Sequence, residues 1–158
     1  MEINEASEKF RGDEIAPMHT AEHILNGTMV KMFGCGRAVS SHIERKKSKC
    51  DYVLPRQLTA DEVRMVEKRV NAVIEADMPV TFEFSEVGLL QEGRFDLSRL
   101  PEDATQTVRI VHIGDYDECL CVGAHVGHTA EIGHFRISST RYENGVQRIV
   151  YRLDCFDK

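Results

Sequence analysis

Two short segments hold the side chains able to do chemistry. His19-Thr20-Ala21-Glu22-His23 lies near the start, and Cys121-Val122-Gly123-Ala124-His125 lies far downstream. Each places two metal-binding groups four positions apart. Together His19, His23, Cys121 and His125 offer three imidazoles and one thiol, a donor set that suits zinc. The metalloprotease spacing His-Glu-x-x-His is absent, although Glu22 precedes His23. A single cation would therefore require the fold to join segments separated by most of the chain.

The elements that must do this can be read from periodicity. Met18, Ala21, Ile24, Leu25, Met29 and Met32 recur at helical spacing between about Pro17 and Phe33, with Gly34 placed as a stop. On that helix His19 and His23 share one face, a turn apart. Short strands are expected over Ala38 to Glu44 and Lys49 to Leu54, the second ended by Pro55. Thr59-Ala60-Asp61-Glu62 is a capping box opening a second helix, whose apolar face is Val63, Val66, Val70, Val73 and Ile74. Further strands are expected over Val80 to Ser85, Val108 to Ile113, Glu118 to Val122, Gly133 to Ser138 and Val146 to Leu153. Asn144-Gly145 is a hairpin turn between the last two. The stretch from Gly88 to Thr105 is charged and turn-rich, with room for one short helix. Early helices and late strands indicate an α+β domain with a mainly antiparallel β-sheet, residues 1–158 forming one unit.

A chain of 158 residues can bury about 68–70% of its unfolded surface, so it needs no metal merely to fold. No apolar run reaches the roughly 18 residues of a membrane helix, and the acidic start Met1-Glu2-Ile3-Asn4-Glu5 is unlike a secretory leader. Five cysteines without framework spacing fit a reduced, cytoplasmic setting. The net charge of −6 argues against non-specific coating of nucleic acid. Yet Arg37, Arg45, Lys46, Lys47 and Lys49 concentrate positive charge, either as a solvated loop or as a landing site for phosphates.

With these residues in view the chain resembles a known family. His19-Thr20-Ala21-Glu22-His23-Ile24-Leu25 is similar to the first motif of the alanyl-tRNA synthetase editing domain and its freestanding AlaX relatives. Cys121-Val122-Gly123-Ala124-His125-Val126, continued by Thr129-Ala130-Glu131-Ile132-Gly133, is similar to the second. The threonyl-tRNA synthetase editing domain shares the pattern. The resemblance covers about Pro17 to Leu153. It implies a zinc-dependent hydrolase that removes wrongly attached amino acids from tRNA, most often serine, or glycine, from alanine tRNA. His19, His23, Cys121 and His125 are then the Zn2+ ligands. No aminoacylation core fits in this length, which implies an editor acting in trans.

The chemistry implied is ester hydrolysis. Zinc lowers the pKa of a bound water to about 7 and polarises a carbonyl, making metal-bound water the expected reactive group. Alternatively the metal holds the substrate's amino group while a tRNA hydroxyl positions the water. Where the family has a carboxylate two residues before the cysteine ligand, this chain has Cys119. On a strand it shares a side with Cys121, as a small buried apolar group, an alternate ligand or a redox-sensitive thiol. Asp117 and Glu118 are the carboxylates at hand, out of register by one or two residues. Glu22 is either a catalytic or supporting carboxylate or a solvent-facing one. Thr20, Ser41 and His42 are candidate substrate contacts, and the basic segment, with Arg136, Arg141 and Arg148, is the candidate surface for the acceptor end of tRNA. The competing reading keeps the fold and the zinc but not the hydrolysis, leaving a module that binds tRNA or protein. A third is a metallohydrolase acting on a small aminoacyl ester.

Overall fold

A computed structural model describes residues 14–90, 95 and 107–154. The first helix, α1 (Ala16–Phe33), begins with Pro17 in its first turn and ends at Gly34, whose φ of 68° provides the left-handed cap. The second, α2 (Ala60–Glu75), starts at Thr59. Its hydroxyl accepts from the Glu62 backbone, and the Glu62 carboxylate answers the Thr59 N–H, completing the capping box.

Among the described residues, seven strands follow the expected order: β1 (Ser40–His42), β2 (Ser48–Val53), β3 (Val80–Glu86), β4 (Thr107–Ile113), β5 (Asp117–Leu120), β6 (His134–Glu143) and β7 (Val146–Asp154). All pairings between them are antiparallel, as expected. They form two sheets rather than one, of order β1-β2-β7-β6 and β3-β4-β5. The turn from β6 to β7 is Asn144-Gly145, with φ of 52° and 79°, the doubly positive pair that a tight hairpin demands. A bulge at Ser138 shifts the register of β6 on β7. Of the stretch from Gly88 to Thr105, a 3-10 turn over Val87–Leu89 is seen; most of the rest lies outside the described residues.

The larger sheet alternates strictly along β2 and β7. Cys50, Tyr52, Gln147, Ile149 and Tyr151 are buried, while Lys49, Asp51, Arg148 and Arg152 point to the other side. The buried face packs with Ile24, Leu25 and Met29 of α1 and Val66, Val70 and Ile74 of α2. Polar side chains lock this packing. Asn71 of α2 both donates to and accepts from the backbone of Phe135 on β6, at 2.8 Å each way. The Tyr151 hydroxyl donates to the Met18 carbonyl at 3.1 Å, fixing the start of α1 beside His19. Thr129 caps the end of α2, donating to Val73 and accepting from the Met78 N–H. This anchors the segment after His125 against the helix.

Candidate metal centre

Helix α1 and the loop after β5 meet face to face. The ligand atoms of His19, His23, Cys121 and His125 all lie within 4.8 Å of one another. Donors about 2.0–2.3 Å from a tetrahedral zinc are roughly 3.3–3.8 Å apart, so the cluster needs only slight contraction around an ion. His19 and His125 stack at 4.3 Å between centroids, and His23 meets both edge-on.

Each imidazole is held by its surroundings. The Nδ1–H of His19 donates to the Ala124 carbonyl at 3.2 Å, directing Nε2 towards the Cys121 sulfur at 3.4 Å. Nδ1 of His125 lies 2.9 Å from the Thr20 hydroxyl, which also accepts from the Val126 N–H. With its proton on Nδ1, His125 presents the lone pair of Nε2. That nitrogen and His23 Nδ1 are buried without a hydrogen-bond partner among the described residues. Unpartnered buried nitrogens are costly, and a cation would satisfy one that faces it. The donor set fits zinc.

Electrostatics favour the deprotonated form of His23, His125 and Cys121, as metal ligation requires, while His19 is drawn towards its charged form by the thiolate. Burial, with the charges of His19 and Arg109, pulls the His125 pKa down to about 3. Burial and the neighbouring His125 and His19 depress His23 well below its ordinary value. Burial opposes ionisation of both His19 and Cys121, but their mutual hydrogen bond and attraction win. The imidazole pKa is raised and the thiol pKa lowered.

Two supports stand behind the ligands, Arg109, which no local motif announced, and Asp117, one of the two candidate carboxylates. Arg109 on β4 donates to the carbonyls of Cys121 and Gly123, and its guanidinium lies 4.3 Å above the centre of the Phe82 ring. It therefore fixes the backbone that carries the thiol. Asp117, at the start of β5, is nearly buried. It accepts from Arg37 at 2.7 Å on Oδ1 and 3.1 Å on Oδ2, and Oδ2 also stands 4.0 Å from His23 Nδ1. Thus Asp117, and not a residue at 119, brings a carboxylate to the centre. Only glycine at 27 leaves it room, since a Cβ there would lie 2.9 Å from Asp117 Oδ1.

The other candidates are dispersed. Cys119 stays out of the ligand cluster, because the strand ends at Leu120 and Cys121 departs into the loop. Its thiol donates to the Leu120 carbonyl, and burial pushes its pKa up to about 11, keeping it protonated. Thr20, expected at the substrate, is fully buried and spends its hydroxyl on His125 and Val126. Glu22 does reach the centre, with Oε1 3.7 Å from His19 Nε2, and accepts from Ser41 at 2.8 Å. His42 points away from that site to Glu44. Arg37 is committed to Asp117, whereas Arg45, Lys46, Lys47 and Lys49 are exposed.

Fold and site together define an α+β domain built around a three-histidine, one-cysteine centre. Residues 108–150 match the threonyl and alanyl tRNA synthetase second additional domain. The chain is 37% identical to an alanine–tRNA ligase of Fervidobacterium nodosum over 83% of its own length. It is 31% identical to that of Leptospira biflexa over 85%, and 32% to that of Bacillus subtilis over 86%. The chain belongs to the family of this second additional domain of alanyl and threonyl tRNA synthetases. It spans about 15% of the length of the ligases it matches.

Proposed function

We propose that this chain is a zinc-dependent aminoacyl-tRNA deacylase, clearing serine, or glycine, from alanine tRNA in the cytoplasm. The observation that carries the reading is the inward-facing cluster of His19, His23, Cys121 and His125, with buried ring nitrogens left unpartnered, in a relative of alanine–tRNA ligases. Zinc held by these four residues would supply Lewis acidity towards the ester carbonyl and acidify a water, provided its shell expands or one ligand departs to admit it.

The chain's own residues supply the rest. Thr20 and the Ala124 carbonyl orient two imidazoles, and Arg109 steadies the loop that bears the thiol. Glu22, positioned by Ser41, is the carboxylate able to take a proton from the attacking water at Oε1. An open hollow of about 540 Å³, lined mainly by Phe84, Val108, Leu120, Cys121 and Val122, adjoins the thiol ligand and suits the aminoacyl-bearing nucleotide.

A second reading has one specific observation in its favour. The four clustered side chains would complete a tetrahedral shell around an ion, as in a zinc-bearing module that binds tRNA or protein without hydrolysis. The two separate on a panel of Ser-, Gly- and Ala-tRNA(Ala). The deacylase releases serine or glycine, spares alanine and stops after chelation. A zinc-replete protein that turns over none of them is the binding module.

A further inference from the structure

The face of the larger sheet that turns away from the helices forms a basic concavity of about 640 Å³. Lys49, Arg148 and Arg152 project into it from adjacent strands, joined by Arg141 from β6 and Lys47 from the β1–β2 turn. Two cross-strand pairs put like charges directly opposite, Arg141 on Arg148 and Arg136 on Arg152. Such pairing works against the sheet, so the fold alone gives no reason for it. Acids neutralise part of the charge, Asp51 engaging Arg148, Glu143 engaging Arg141 and Asp154 engaging Arg136, while Glu44 in the lining engages His42. Lys47, Lys49 and Arg152 have no ion pair among the described residues. On a chain of net charge −6, this is a concentrated positive field. The hydroxyls of Ser138, Ser139 and Thr140 line it as further donors.

Strand β1 is the boundary between this face and the metal centre. Successive residues on a strand point to opposite sides. Ser41 reaches back to Glu22 beside His19, while the next residue, His42, lines the basic concavity opposite Lys49. A polyanion lying on the outer face thus has only the edge strand between it and the cluster.

We infer that the outer face of the β1-β2-β7-β6 sheet docks an RNA phosphate backbone through Lys47, Lys49 and Arg152, with the RNA end crossing β1 to the metal centre. The second half of that statement rests on the deacylase reading; the first does not. An anionic membrane would also be drawn by charge, but it requires apolar anchors. The residues lining this concavity include no Phe, Tyr or Trp, and Val150 is its one aliphatic member.

The test is fluorescence anisotropy of unacylated tRNA(Ala) transcript against the zinc-loaded protein across a potassium chloride series. Lys49→Glu with Arg152→Glu should weaken binding at least about tenfold and flatten the log K against log salt slope by about two, near 0.9 for each phosphate no longer neutralised. Lys68→Glu with Arg69→Glu, an equal charge change on exposed α2 positions, should change neither quantity comparably. Zinc content and urea midpoint verify folding, and Lys47→Glu in the exposed turn provides a second variant with the same expected direction. Unchanged affinity and slope in the sheet variants, equal losses in both double variants, or wild-type binding to phosphatidylserine vesicles but not to tRNA would overturn the inference. If the sheet variants bind normally while wild type deacylates Ser-tRNA(Ala), the docking face is wrong and the deacylase stands. If the face binds tRNA but no misacylated tRNA is hydrolysed, the deacylase is wrong and the face stands.

Discussion

Thr20 and His125 meet across 105 positions of sequence, the hydroxyl of one 2.9 Å from Nδ1 of the other. This contact joins the two motifs at the level of a single proton, since a hydrogen on Nδ1 leaves Nε2 free to bind metal. Thr20→Val keeps the shape and removes the acceptor. Zinc affinity should fall by about 10–100-fold, the usual effect of losing a partner that orients a ligand. Stability should fall by about 1–3 kcal/mol because the buried Val126 N–H also loses its acceptor. Chelator competition and urea unfolding measure the two effects separately.

Gly123 is required by space. A Cβ there would lie 2.2 Å from His19 Cε1, and the Gly123 φ is not in the left-handed region. Gly123→Ala should therefore act by displacing the His19 ring, not by straining the backbone. Zinc affinity should drop by at least about tenfold, while far-ultraviolet circular dichroism stays unchanged. Wild-type affinity in this variant would show that His19 does not need its present position.

Arg37 should matter to folding and not to RNA. It neutralises the nearly buried Asp117, and Arg37→Met strands that carboxylate. The expected cost is about 3 kcal/mol in urea unfolding. The salt dependence of tRNA binding should remain as in wild type at a temperature where the variant is folded. A flattened salt slope would return Arg37 to the RNA surface.

Asp51 links stability to acid. The hydrogen bonds and charge of Arg148 hold its pKa below the ordinary carboxylate value. A depressed folded-state pKa gives stability that is present above the unfolded value of about 3.9 and is lost as pH falls through the folded one. Asp51→Asn should cost about 1 kcal/mol at pH 7 and less below pH 3, read by unfolding at both. It also frees Arg148, so tRNA binding should tighten and its salt slope steepen. Equal losses at the two pH values would contradict the linkage.

Much of this architecture was legible from local patterns. The capping box at Thr59 and Glu62, the Gly34 stop and the Asn144-Gly145 turn act through neighbouring residues, and all three fall where expected. Strand limits were harder. Strand β6 runs on through Ser138, Ser139 and Thr140 to Glu143, past the expected end at Ser138. These residues lack apolar alternation and stay in the sheet by pairing with β7 across a bulge. Strand β5 ends at Leu120, one residue short of Cys121, and Cys119 lies outside the ligand cluster. Arg109 and the double duty of Thr20 were hidden for another reason, while Asp117 stood among the candidate carboxylates without a sign of its Arg37 partner. Their partners lie on remote segments, and a side chain bound to a distant carbonyl or imidazole leaves no periodic trace in sequence.

Whether serine release depends on the metal is decided most directly by a titration. Zinc is added stepwise to chelator-stripped protein, and single-turnover release of serine from Ser-tRNA(Ala) is followed at each metal content. The rate should rise in proportion to bound zinc and level off at one ion per chain, with Ala-tRNA(Ala) left intact. A protein that fills with zinc while serine release stays at the uncatalysed rate would contradict the account.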